Sequence, residues 1–247
     1  MNKILAILPI SIGGRLTTSS IIDGFKQNNY NVDIIDELKN YSFKNKKYKY
    51  IVGYGFSPIV FKIENNLSIP TIAYFSDIIQ SSAAGIGYDK FQNELKKIDN
   101  HIFYWDRELS KKEGWNYLAH FVNCEIYRPF KEPTADVIFM GRFDTDLRLN
   151  TFLELNKRLP EVKFKWYAIK KHFENALSRC NSSEDKNILT NSYSGFIDNE
   201  EDMANAINDS KIVYNINAQG ISSLNYRTFQ TMACERLLIS DKIDQKL

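Results

Sequence analysis

The chain has 247 residues, 43% hydrophobic and 13% aromatic, which is ample for a core and close to the size at which one core divides into two. Lys and Arg number 32 against 30 Asp and Glu, so a net charge of +2 excludes any whole-molecule electrostatic argument for nucleic acid or membrane. Any basic site must be local. Cys124, Cys180 and Cys234 have neither metal-ligand spacing nor an even count, and they read as reduced thiols of a cytosolic protein. No signal-peptide pattern opens the chain, and no apolar run approaches the roughly 18 residues of a membrane span.

Short apolar runs alternate with helical patterns, which predicts an α/β protein with parallel sheets covered by helices. In the first half, "KILAILP" (3–9), "NVDIID" (31–36), "YIVGYG" (50–55), "TIAYF" (71–75), "HIFYW" (101–105) and "LAHFV" (118–122) read as strands. Between the first two, "TTSSIIDGFKQNNY" offers capping Thr and Ser and apolar residues at helical spacing, so a βαβ unit begins the chain. "IYRPFKEPTAD" (126–136), with Pro129 and Pro133, resembles a linker.

The same order then restarts. "DVIFMG" (136–141) reads as a strand, "RLNTFLELNKRLP" as a helix and "KFKWYAI" (163–169) as a strand. A strand near "YSGFI" (193–197), a helix "NEEDMANAIND", a strand "KIVYNIN" (211–217), a helix "LNYRTFQTMAC" (224–234) and a strand "RLLISD" (236–241) follow. The expectation is two Rossmann-like domains, 1–128 and 136–247. A half of this kind normally needs one more strand or helix over its last edge, so the second domain is expected to lack its C-terminal end.

Several segments have residue types suited to chemistry, each with an ordinary structural alternative. "SIGGRLTTSS" (11–20) puts Gly13 and Gly14 between the first strand and first helix, where backbone N–H groups meet anions. It lacks full dinucleotide-binding spacing, and a tight turn has the same sequence. "MGRFDTDLR" (140–148) repeats the placement, with Gly141 at the turn and Arg142 and Arg148 beside it as a diphosphate clamp or as two solvated arginines. Arg227 and Gln230, three apart in "SLNYRTFQTMACERLLISD", share one helix face, which would also suit a structural helix with a polar edge. His101, His120 and His172 share no ligand spacing and read as core or surface histidines; no protein ligand set for a divalent metal is identified. "KNKKYKY" (44–50) interleaves Lys44, Lys46 and Lys47 with tyrosine, as a polyanion contact or a solvated loop would. In "FSDIIQSS" (75–82), an apolar run delivers one carboxylate, Asp77, either over a cleft or as a helix cap.

Taken together, the order and spacing resemble the two-Rossmann-domain (GT-B) glycosyltransferases that use sugar nucleotides. Within that class "TTSSIIDGFKQNNYNVDIID", "AYFSDI", "DVIFMGRFDTDLR", "YSGFI" and "YRTFQTMACERLLISD" resemble, in order, segments of the T-even bacteriophage DNA β-glucosyltransferases. The resemblance implies two domains facing across a cleft and a UDP-sugar co-substrate, with no tightly bound cofactor. It implies duplex DNA with hydroxymethylated bases as acceptor partner, in a host cytoplasm. Asp77 then matches the base of an inverting displacement. Arg148 and Arg227 match phosphate-binding arginines, with Arg142 added. The Ile197 backbone would face uracil, and Gln230 stands where the family holds the ribose with a glutamate. Lys44, Lys46 and Lys47 would meet the acceptor.

The sequence departs from that pattern at four places. Gln230 is neutral, Asp144 replaces a phosphate-binding arginine, Thr17 lies near an acidic position of the first loop, and Glu235 occupies a site that is usually small. Two rivals share the residues: the same fold acting on a bacterial surface glycan or protein, and a non-catalytic nucleotide-sugar or DNA-binding module.

Overall fold

The computed structural model describes residues 2–10, 12–37, 47–75, 100–216 and 224–241. Asp77, Lys44 and Lys46 lie outside them. The chain divides into two compact units, one over Met1–His120 and the other mainly over Phe121–Gly220 and Leu224–Leu247.

In the first unit, β1 (Lys3–Leu8), β2 (Asn31–Asp36), β3 (Tyr50–Tyr54), β4 (Thr71–Phe75), β5 (Asn100–Tyr104) and β6 (Asn116–Tyr117) form one sheet in the order β2-β1-β3-β4-β5-β6. Every pairing is parallel. Ile4, Leu5, Ala6 and Ile7 of β1 are all buried, because a central parallel strand is covered on both faces and must be apolar throughout. At the β2 edge Ile34 is exposed.

Three helices accompany this sheet among the described residues: α1 (Ile12–Gln27), α2 (Ser57–Glu64) and α3 (Arg107–Glu113). Because α1 starts at Ile12, Gly13 and Gly14 form its first turn and not a loop before it. Arg15, next to them, binds Asp36 at the end of β2 through two bonds of 2.7 and 2.8 Å. Helices α2 and α3 were not read from the sequence, although both carry start signals. Pro58 lies in the first turn of α2, and Asp106 accepts a bond from the Leu109 amide at the start of α3.

"LAHFV" is not a strand. The ladder uses Asn116 and Tyr117, and the apolar run after them carries His120 into the core. There Nδ1 of His120 lies 3.2 Å from the Tyr74 hydroxyl, and its ring centroid is 4.7 Å from that of Trp105. Burial pushes the imidazole down to about 3, so it is neutral at physiological pH.

The second unit repeats the plan with β7 (Ala135–Met140), β8 (Phe164–Tyr167), β9 (Ser210–Asn215) and β10 (Leu237–Ser240), parallel and ordered β10-β9-β7-β8. Its helices are α4 (Asp146–Arg158), α5 (Lys170–Ser178), α6 (Ser183–Ser192), α7 (Glu200–Asn208) and α8 (Tyr226–Ala233). Thr145, Ser182, Asn199 and Asn225 cap α4, α6, α7 and α8, each accepting a backbone N–H of the first turn.

One face of the sheet is filled by aromatic rings. Phe139, Phe143, Phe152, Phe164 and Trp166 are all buried in one cluster. On the other face Tyr127, from the segment that resembles a linker, packs with Ile138, Ile207 and Val213 and is 1% exposed. "YSGFI" is not a strand either: Tyr193 makes an isolated bridge to Trp166, and past it the Ser194 N–H donates to the Trp166 carbonyl and the Gly195 carbonyl, at a residue with φ 94°, accepts the Ala168 N–H. Among the described residues no helix is long and apolar enough to cross a membrane.

Glu235 follows α8 with φ 54°, and its N–H donates to the Met232 carbonyl at 3.0 Å. This is the left-handed position that ends many helices and favours glycine. A side chain there strains the backbone, so Glu235→Gly is expected to stabilise the protein by about 0.5–1 kcal/mol, part of the relief being offset by glycine's extra freedom when unfolded. Thermal unfolding checks this; a lower midpoint for the glycine variant would contradict it.

Candidate functional site

In the second unit the chain runs from β7 outward to β8 and then crosses back to β9, so loops leave the carboxyl ends of β7 and β9 in opposite directions. Doubly wound sheets hold ligands at such a reversal. A cavity of about 330 Å³ lies at the carboxyl ends of β7, one of the two strands flanking that reversal, and β8, walled by Met140 to Arg142 and by Tyr167 to Ile169. Phe196, Ile197, Met203 and Arg227 complete it together with His172.

The turn after β7 depends on Gly141. Its φ of 145° suits glycine, its N–H donates to the Tyr167 carbonyl at 3.0 Å, and its own carbonyl accepts the Trp166 indole N–H at 2.8 Å. Trp166 is fully buried among aromatic rings, so the turn is fastened to the aromatic core of the unit. The next residue, Arg142, extends from that turn with its side chain 61% exposed.

Three arginines were expected to act on phosphate, and the structure gives them different surroundings. Arg142 donates from Nε to Asp144 at 3.2 Å and still lines the cavity. Arg148 is engaged elsewhere: Nη1 binds Asp144 at 2.8 Å and the Arg142 carbonyl at 3.3 Å, and Nη2 binds the Ile216 carbonyl at 2.5 Å. It is not a wall of the cavity. Asp144 is therefore the carboxylate that joins the other two.

Arg227 differs from both. It stands in the first turn of α8, where Nη1 donates to Gln230 Oε1 at 2.5 Å and approaches the Met203 sulfur at 3.0 Å. Its Nε is sealed from solvent without a hydrogen bond. No carboxylate pairs with it among the described residues, and burial lowers its pKa. A guanidinium remains charged even so, which leaves an uncompensated positive charge on the wall of a cavity.

Gln230 is not a wall. It is 2% exposed, and its amide bridges Arg227 and the Tyr127 hydroxyl, the latter at 2.6 Å. Ile197 is a wall of the cavity. Gly13 and Gly14 belong to the first unit. Lys47 is exposed just before β3.

His172, read from the sequence as a core or surface residue, lies in the first turn of α5 and lines the cavity. Burial chiefly lowers its pKa, aided by Arg142 and Lys171 and opposed by Asp144. Its place just after a strand's carboxyl end was the available signal. Among the described residues no group of three or more His, Cys, Asp or Glu is placed to hold a metal ion.

Residues 148–246 match the family described as "Glycosyl transferase-like". No curated protein matches the chain in sequence. Among solved structures, a glycosyltransferase from Rickettsia africae is similar over 96% of this chain and 78% of its own, with a TM-score of 0.60 and 13% identity. Anabaena HepE, solved in complex with UDP and glucose, is similar over 97% of this chain and 80% of its own, with a TM-score of 0.59 and 9% identity. The chain thus shares the α/β fold of these proteins, and its C-terminal part matches a glycosyl transferase-like family.

Proposed function

We propose that this protein is a glycosyltransferase that moves a hexose, with glucose as the first choice, from a UDP-sugar to an acceptor hydroxyl. The observation that carries the proposal is Arg227, a cation with no carboxylate partner among the described residues, on the wall of a cavity at the carboxyl ends of β7 and β8. A diphosphate would supply the missing negative charge. In the displacement that diphosphate leaves with growing charge, which fixed guanidinium groups stabilise. The family match over residues 148–246 supports this reading because it spans α4 to β10, and the UDP and glucose of HepE support the donor class.

In the proposed complex Arg142 and Arg227 bind the diphosphate and the Ile197 backbone faces the uracil. Arg148 contributes by holding the Arg142 turn. The rest follows the GT-B resemblance. Gly13 and Gly14 offer helix-start amides to the donor, and Asp77 takes the acceptor proton while the anomeric carbon inverts. The favoured acceptor is the hydroxymethyl group of a modified base in duplex DNA, flipped from the stack to reach Asp77. Lys44, Lys46 and Lys47 would meet its phosphates.

The test supplies labelled UDP-glucose with hydroxymethylcytosine duplex DNA, unmodified DNA or a surface-glycan extract. Label on the hydroxymethylated duplex, with UDP released one for one, is the expected outcome. Asp77→Asn should keep donor binding and lower turnover by about 10²–10⁴-fold. Label in the glycan alone would overturn the acceptor, whereas absence of UDP binding and of transfer would overturn the function.

A second outcome isolates the arginine. Arg227→Met should weaken UDP about 10–100-fold, the range for a charge-assisted bond, and leave uridine unaffected. The ligand-free variant should unfold at no lower temperature than the parent, because it loses a charge that had no counter-charge. Equal losses for UDP and uridine would assign Arg227 to the fold.

A further inference from the structure

The bridge from Tyr127 to Arg227 joins the second unit's core to its cavity. Tyr127 is 1% exposed and Gln230 2% exposed, so both side chains are held by packing. The amide can sit only one way round. A guanidinium has donors and no acceptor, so the Gln230 oxygen must face Arg227 Nη1 and the Nε2 group must face Tyr127, as observed at 2.5 and 2.6 Å. Burial raises the Tyr127 hydroxyl's pKa, so it remains neutral. Every member of the bridge except Arg227 is therefore uncharged.

We infer that Gln230 is a positioning residue for Arg227, aiming the guanidinium into the cavity while leaving its charge unspent, and is not a ligand of the donor's ribose. The inference rests on the reading of the cavity as a diphosphate site. Two features carry it. Gln230 has no surface on the cavity, so it has no access to a ribose there. Its amide also fixes the guanidinium without neutralising it, whereas a carboxylate at the same place would form a buried ion pair and compete with the phosphates. The neutral residue at this position is then matched to the cation beside it.

The experiment compares three probes, UDP, inorganic pyrophosphate and uridine, by calorimetry on the full chain and on two variants. Tyr127→Phe removes the hydroxyl that anchors the amide and keeps the ring in the core. It is expected to weaken UDP and pyrophosphate by a common factor of about 3–10, the worth of one neutral hydrogen bond. Gln230→Glu keeps the shape and adds the charge, and it should weaken both by about tenfold or more, with uridine unchanged. Thermal unfolding without ligand confirms that each variant is folded.

A ribose ligand would behave in the opposite way. Gln230→Glu would then preserve or tighten UDP, and both variants would leave pyrophosphate unaffected; either result overturns the inference. Variants that bind all three probes like the parent overturn it too. If the parent itself binds neither UDP nor pyrophosphate, the diphosphate reading falls and takes this inference with it, a result distinct from failure of the positioning role alone.

Discussion

A positive charge with no counter-charge among the described residues is the constraint around which the cavity of the second unit is arranged. Arg227 has an amide oxygen and a thioether sulfur for company, and its Nε is sealed without a partner. Other cations of the same unit find partners of two kinds: Arg236, also partly buried and without a carboxylate among the described residues, donates to the Lys131 and Asn208 carbonyls, whereas two lysines meet carboxylates. Lys165 binds Asp209 at 2.7 Å, and Lys157 binds Asp185 at 2.7 Å. Burying an unpaired charge costs several kcal/mol, so a fold that keeps one beside a cavity is arranged for an anion to complete it.

The fold makes that arrangement affordable by fastening each wall to something rigid. The indole of Trp166 holds the Gly141 turn from within an aromatic cluster, and Arg148 ties the same turn to the end of β9 through the Ile216 carbonyl. Tyr127 fixes Gln230 from the opposite face of the sheet. The cavity therefore lies where both layers of the unit converge on the carboxyl ends of the strands, which is also where parallel sheets leave room for ligands.

Much of this was legible in the sequence wherever the physical cause is local. Strand β4 was read with its observed boundaries, and β1, β3 and β9 to within one or two residues, because sheet interiors demand apolar runs; the edge strand β2, NVDIID, was also read with its observed boundaries. "LAHFV" and "YSGFI" deceived for the same reason: they are apolar, yet one packs a histidine into the core and the other makes only an isolated bridge before Gly195 at a positive φ. The sites divide in the same way. Gly141 and Arg142 were singled out from their placement after a strand, Arg227 from its helix face and Ile197 from the family resemblance, and the four line one cavity. The spending of Arg148 on Asp144 and the burial of Gln230 were not, since both depend on partners far apart in the chain, as with Tyr127 and Gln230. His172 was passed over because histidine spacing was judged for metal ligation and not for position relative to a strand end.

The central claim is that the uncompensated charge of Arg227 is completed by the diphosphate of a nucleotide sugar. A crystal structure of the protein grown with UDP tests it most directly. The account predicts diphosphate oxygens within hydrogen-bond distance of the Arg227 and Arg142 guanidinium groups, with the uracil against the Ile197 backbone. A nucleotide bound away from this cavity, or one that enters it with its phosphates directed away from Arg227, would contradict the account.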